Sequence, residues 1–344
     1  MKDSWRLWAG LAISVAALLL AVRGVNPPQV VATFAHAEYF YLLPAGLGLV
    51  AYMAARSVRW RVLLDSRVSL SRCFWVTNAG YLVSNVFPFR LGDPARALLM
   101  ARPGDVPIGA ALSTVVVERV LDMLTVAALL AGITPFLGKA WAGLDWAVAG
   151  GLLAGGAALA ALAGLFFIAW QPDRGRQAVR WGVYRLPGVN REGLIHSLDT
   201  LFDGLASLRS AGRILALLFW SAITWGCAVI SYRALIRAFL PNPPALAAPL
   251  LVCVVGLGMA LPSSPGAVGV FQAVARYGLT VPFGVPTTPA ITTAFGLHAF
   301  QYFLSCALGL VGLWLELRTG HVAPLTWLRG NLRLLAQRPD IKSE

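Results

Sequence analysis

Acidic residues are scarce in this chain: 15 Asp and Glu stand among 344 residues, against 28 Lys and Arg. Charged residues together make up only 12%, roughly half the share in an ordinary soluble domain, while 58% are hydrophobic. That balance excludes a soluble globular domain and points to an integral membrane protein. Cysteine is also rare. Cys73, Cys227, Cys253 and Cys306 form no C-x-x-C pair, and the four histidines lack metal-ligand spacing, so neither a metal nor a cofactor is expected. A pair of acids in one loop, a histidine close in sequence to a reactive serine, and any rhomboid or lipid-phosphatase pattern are missing as well. No catalytic residue is assigned, and the chain is not expected to be an enzyme.

The net charge of +13 is nearly all arginine. No basic surface interleaved with aromatics accompanies it, so nucleic acid is not an expected partner. The arginines fall in short loops between apolar runs, which is the positive-inside pattern. It predicts a multi-pass protein of the inner (cytoplasmic) cell membrane with both termini in the cytoplasm, near anionic headgroups.

Leu7–Val22 is read as a retained helix rather than a signal peptide, because similar runs follow and no convincing cleavage site does. It spans outward and Tyr39–Ala55 returns, leaving Arg56, Arg59, Arg61, Arg67 and Arg72 on the cytoplasmic side. Cys73–Phe87 makes roughly 22 Å of helix, short for a hydrocarbon core of roughly 30 Å. It runs into Asn85-Val-Phe-Pro-Phe-Arg-Leu-Gly-Asp-Pro-Ala-Arg96. Pro88 breaks the helix, Gly92 frees the backbone, Asp93 suits an N-cap and Pro94 a first helical position. Cys73–Arg102 therefore reads as a re-entrant hairpin entering from the cytoplasm.

Ile108–Ile133 spans outward and Trp146–Trp170 inward. Gln171–Arg213 is the sizeable polar segment, and its leucines from Leu194 to Leu208 recur at helical spacing. An amphipathic helix there would lie on the membrane surface or on cytoplasmic loops. Ile214–Tyr232 spans outward. Ala245–Leu261 enters from outside and meets a second break, Pro262-Ser-Ser-Pro-Gly-Ala-Val-Gly269. Val270–Leu279 turns back, and Pro289–Leu315 crosses to a basic tail.

The expected fold is an all-α polytopic membrane protein with about six spanning helices plus two re-entrant broken helical hairpins in inverted-repeat arrangement. One transmembrane domain covers 1–320, with halves of about 1–133 and 146–315, an amphipathic cytoplasmic insert at about 171–213, and a basic tail over 321–344. Pro88-x-x-x-Gly92 and Pro262-x-x-x-Gly266 mark the same place in both halves. Many secondary transporters are built this way, with the substrate near the midplane.

Broken helices aim unpaired N–H groups and a positive dipole end at the gap, which suits an anion. Arg90 and Arg96 add guanidinium forks that match phosphate oxygens. Ser263 and Ser264 add hydroxyls, with Gly92, Asp93, Gly266, Gln272 and Gln301 around them. Asn85 either satisfies a helix or touches ligand. Glu118, Arg119 and Asp122 sit about 15 Å into their helix, where ionisable groups are expensive. Glu118 and Asp122 share a face, and Arg119 reaches Asp122. These acids either lock the helix to the hairpin, hold Arg90 or Arg96, or carry a coupling proton. The expected partners are an anionic lipid or lipid-linked phosphate and membrane lipids, and a homo-oligomer is compatible with the chain.

Asn85…Pro88-Phe-Arg90-Leu-Gly92-Asp93-x-x-Arg96, then Glu118-Arg119-x-x-Asp122, then Pro262-Ser-Ser-Pro265-Gly266-x-x-Gly269 resembles the lysylphosphatidylglycerol synthase transmembrane (flippase-like) family, over roughly residues 5–320. The resemblance implies translocation of an anionic phospholipid or lipid-linked phosphate between leaflets. The alternative is a membrane-embedded enzyme or accessory scaffold in polyprenyl, glycolipid or hopanoid envelope-lipid assembly. The family commonly has Glu where this chain has Asp93, and often Glu where it has Gln272, which weakens a proton-coupling role there. The aminoacyl-transferase domain of the full synthase is absent, so the chain is not expected to make lysylphosphatidylglycerol.

Overall fold

The computed structural model describes residues 4–87, 91–101, 106–137, 145–171, 174, 177, 210–259 and 264–318. Helices dominate them. Helix α1 (Ser4–Val22) turns by 83° into the short α2 (Pro27–Ala35), at a bend where Gly24 takes φ +76°. A 3-10 turn over Tyr39–Tyr41 leads into α3 (Leu42–Leu63). Helix α4 (Leu70–Val86) and α5 (Gly92–Met100) form the first hairpin, and α6 (Ile108–Leu137) and α7 (Asp145–Trp170) follow. After α8 (Ala211–Phe239) come α9 (Ala247–Gly258) and α10 (Val270–Phe283), the second hairpin, and then α11 (Thr287–Arg318).

Among the described residues, four helices (α3 with its leading turn, α6, α8 and α11) are long and apolar enough to cross a membrane, or up to five if the bent α1–α2 pair is one span. The chain is a multi-pass membrane protein. Four of the six expected spans meet this measure among the described residues, and the α1–α2 pair makes a fifth if its bend is counted as one span. The amphipathic insert at 194–208 and the tail beyond 318 lie outside the described residues.

Both hairpins fold back on themselves, so neither threads straight through. In the first, Gly80 and Gly92 bring α4 and α5 together: a Cβ at Gly80 would lie 3.0 Å from the Gly92 carbonyl oxygen, and Gly92 has no room for one against the Gly80 oxygen. In the second, Gly258 meets Val274 (2.7 Å from a Cβ) and Gly278 meets Leu251 (2.8 Å), so the arms run antiparallel. Small residues also let α4 pack on α11, where Gly309 and Gly312 face the backbone of Asn78 and Trp75. Helix α9 packs on α6, so each hairpin's first arm lies against the last spanning helix of the other half. Helix α3 packs along α8.

Two expectations about local structure are corrected. Asp93 does not cap α5: the helix starts at Gly92 after Leu91 without a side-chain cap, and Asp93 sits in the first turn. Helix α3 runs past Ala55 to Leu63, so Arg56, Arg59 and Arg61 belong to a helix and not to a cytoplasmic loop. Arginine is a good helix former, and nothing before Asp65 and Ser66, both at positive φ, stops the helix.

Candidate functional site

The first turn of α5 and the middle of α6 face the end of α3, and their charges meet there. Glu118 is fully buried and lies at the centre. Arg96 of α5 donates to it from both terminal nitrogens, Nη2 at 2.7 Å and Nη1 at 3.3 Å, while its guanidinium lies 4.7 Å from the Trp60 ring centroid. Arg56 of α3 pairs with the same carboxylate and, at 3.3 Å, with Asp122. Arg59 donates to Asp122 at 2.6 Å and to Ser221 of α8 at 3.0 Å. Tyr52 accepts from Arg56 at 3.1 Å and shares a hydrogen bond with Tyr81 of α4. At the rim, half-exposed Arg119 pairs with Asp93 at 3.1 Å and with Asp122 at 3.4 Å.

This network ties α3, α4, α5, α6 and α8 together. Taking such charges out of water is costly unless each is paired, so removing one member would leave the rest uncompensated. The acids of α6 therefore do two of the things expected of them: Glu118 holds Arg96, and both acids lock α6 to its neighbours.

Beside the network lies a cavity of about 270 Å³. Arg56, Arg96, Arg119, Asp93 and Asp122 line one wall, Asn85 and Gly92 the first hairpin's side, and Ser264 and Gly266 the second's. It adjoins an apolar chamber of about 240 Å³ that shares Tyr52, Tyr81, Asn85, Trp225 and Gly266 with it and reaches Gln301. Residues flanking both breaks thus meet at one cavity.

Of the expected site residues, Asn85, Gly92, Asp93, Arg96, Arg119, Asp122, Ser264 and Gly266 line this cavity, with Glu118 directly behind Arg96. Asn85 also donates to Ser305 of α11 at 2.9 Å. Arg90 and Ser263 lie outside the described residues. Gln272 lines neither chamber. Its Oε1 accepts from the Gly269 N–H at 2.7 Å and its Nε2 lies 2.8 Å from His298 Nδ1, so it holds the start of α10. The Ser264 N–H is likewise taken, by Ser14 Oγ of α1 at 2.7 Å. The second break therefore does not present these donors to the gap as expected, whereas the uncapped start of α5 borders the cavity.

Sequence reasoning missed Arg56, Arg59, Tyr52 and Tyr81. The signal was there: Tyr52, Arg56 and Arg59 recur at four and three residues, one face of a helix. Counting these arginines as loop charges hid it. Among the described residues, no group of three or more His, Cys, Asp or Glu side chains converges to hold a metal ion.

The family model for the lysylphosphatidylglycerol synthase TM region matches residues 7–309. The chain belongs to this family. The match covers every helix of the cavity wall. Among relatives, glycosyltransferase AglD of Haloferax volcanii is 27% identical over 316 residues, covering 83% of this chain but 50% of the relative. The chain thus spans about half the length of that protein. A UPF0104 membrane protein of Methanothermobacter thermautotrophicus is 22% identical, over 90% of this chain and 93% of its own length. No solved structure matches.

AglD corrects one expectation. The chain was expected not to be an enzyme because it lacks a nucleophile–base pair and loop acids, yet a relative that aligns with 83% of this chain, over half of its own length, carries an enzyme's name. Such motifs test for hydrolytic and metal-assisted chemistry.

Proposed function

We propose that this family member binds the phosphate of a membrane lipid or lipid-linked sugar in the central cavity and serves polyprenyl or glycolipid assembly in the membrane, as an enzyme or as the membrane component of one. The observation that carries this reading is the cavity wall itself. Arg56 and Arg96 are 3% and 2% exposed and line a chamber between apolar helices that adjoins an apolar one. Buried guanidinium forks fit phosphate oxygens, and an apolar neighbour fits hydrocarbon. The glycosyltransferase name of AglD supports the assembly context.

A second reading is movement of that lipid between leaflets. One observation favours it: two fold-back hairpins, each packed on the other half's last spanning helix, meet at the cavity, as inverted repeats do in secondary transporters. Halves of about 1–133 and 146–315, cytoplasmic termini and a place in the cytoplasmic membrane belong to the same proposal.

Native mass spectrometry of the purified protein tests the shared core of both readings. Wild type should retain a phosphate-bearing lipid that Arg56→Gln and Arg96→Gln lose while remaining folded. Retention of only phosphate-free lipids by wild type would remove the reading. Two further assays separate enzyme from translocator: transfer of a labelled sugar in membranes, and leaflet exchange of a labelled anionic lipid in proteoliposomes.

A further inference from the structure

The second break is fastened to α10 through a side chain that can take up a proton, and the hydrogen bonds around it admit one protonation state. We infer that His298 and Gln272 form an acid-sensitive latch: a proton taken up by the His298 ring unfastens the start of α10 from the break between α9 and α10.

Hydrogen-bond direction fixes the resting state. Gln272 is 3% exposed and His298 9%. The Gly269 N–H can only donate, so the Gln272 atom 2.7 Å from it is the amide oxygen. That turns the amide nitrogen, also a donor only, to His298 Nδ1 at 2.8 Å. Nδ1 therefore accepts, and the neutral ring carries its proton on Nε2. A proton on Nδ1 would set one N–H against another. Turning the Gln272 amide over would satisfy His298 but set the amide nitrogen against the Gly269 N–H, so neither orientation serves both neighbours. A buried donor without an acceptor is unfavourable, and the latch gives way. The ring is also held in place, stacked on Phe271 with centroids 4.4 Å apart and edge-on to Tyr302 at 6.1 Å.

Nothing close by offsets the added charge. His298 lines the apolar chamber, whose other titratable lining residues are Tyr52, Tyr81, Tyr232 and Tyr302. Among the described residues, no carboxylate or guanidinium lines it. Charged side chains on the helices packed against α11 are engaged elsewhere. Arg276 of α10 holds the carbonyls of Leu20 and Ala21, and Arg72 of α4 that of Leu99. On α8, Arg213 pairs with Asp65, Arg233 holds the carbonyls of Pro243 and Pro244, and Arg237 pairs with Glu38. Helix α2 carries no charge and ends at exposed His36. Glu316 and Arg318 lie about five turns further along α11. The proton comes from solvent by way of the central cavity, which shares a wall with the chamber, and adds to the Nδ1 lone pair. The break's other fastening, the Ser264 N–H on the Ser14 hydroxyl, involves no group that titrates in this range, so acid acts on the α10 side.

NMR of the full chain in detergent, labelled at its histidine nitrogens, tests the premise. At about pH 8 the signals missing from His298→Asn should report a bare Nδ1 and a protonated Nε2, and at about pH 5 both nitrogens should carry protons. The unfolding midpoint tests the latch. Between those two conditions wild type should lose about 3 °C more than His298→Asn, whose side-chain oxygen accepts from Gln272 and takes no proton. Gln272→Glu should reverse the sign of that difference, because a carboxylate accepts from the Gly269 N–H and from a protonated ring together. A proton on Nδ1 at about pH 8, a ring still neutral at about pH 5, or equal losses in wild type and His298→Asn would each overturn the inference. The wild-type NMR and the His298→Asn comparison decide it even where Gln272→Glu does not fold.

Discussion

The two hairpins share a backbone plan and differ in how their polar groups are used. Each has two antiparallel arms pressed together at glycines, and each breaks at a Pro-x-x-x-Gly pattern. The first is followed by charge: α5 carries Asp93 and Arg96 into the network around Glu118. The break of the second is neutral and its groups are spent inside the fold, with the Ser264 N–H on Ser14 of α1, the Gly269 N–H on Gln272, and Gln272 beside His298, while Arg276 of α10 donates to the carbonyls of Leu20 and Ala21. Gly269, at φ +92°, sits so close to the Ser14 carbonyl that α1 presses directly on this loop. A broken helix is therefore a site only where its freed groups remain unspent. The first hairpin contributes charge to the cavity's edge, and the second contributes a wall.

The sharpest break of that contrast is Glu118→Gln, which leaves three buried arginines facing one remaining buried carboxylate. It should destabilise the protein by about 3–5 kcal/mol, read as a lowered unfolding midpoint in detergent. In the second hairpin, Gln272→Ala strands the buried Gly269 N–H and should cost about 1–3 kcal/mol. Its phospholipid retention should stay at the wild-type level. A loss of retention matching that of Arg96→Gln would show the second hairpin to be chemical too. Ser14→Ala removes the acceptor for the Ser264 N–H and should cost about 1 kcal/mol, read as a lowered unfolding midpoint in detergent. The smallest effect belongs to Arg119→Gln. Its pair with Asp93 is partly exposed and buried Asp122 keeps Arg56 and Arg59, so stability should move by less than about 1 kcal/mol and the change should shrink further at high salt.

Much of the architecture was legible in the residues. Pro88 and Gly92, then Pro262 and Gly266, interrupt apolar runs, and helices end beside them at Val86 and Gly258. Glu118 and Asp122, deep in an apolar helix, announced buried partners, because ions at that depth are not left unpaired. The identity of those partners was less visible. Arg96 was anticipated; Arg56 and Arg59 were taken for loop charges, since the positive-inside pattern explains arginines near a helix end equally well. Gln272 looked like a lining residue, and it turned out to hold a helix start, because a side chain three residues into a helix can reach back to the first N–H.

What the sequence alone determined was the class of protein, the places where its helices break, and the presence of acids that must find cations. Those follow from composition and local backbone chemistry. Which arginines answer the acids, and that the second break spends its donors inside the fold, was decided only by tertiary structure. Both depend on how α3, α5 and α1 are turned against their neighbours, and helix rotation is set by packing between segments far apart in the chain.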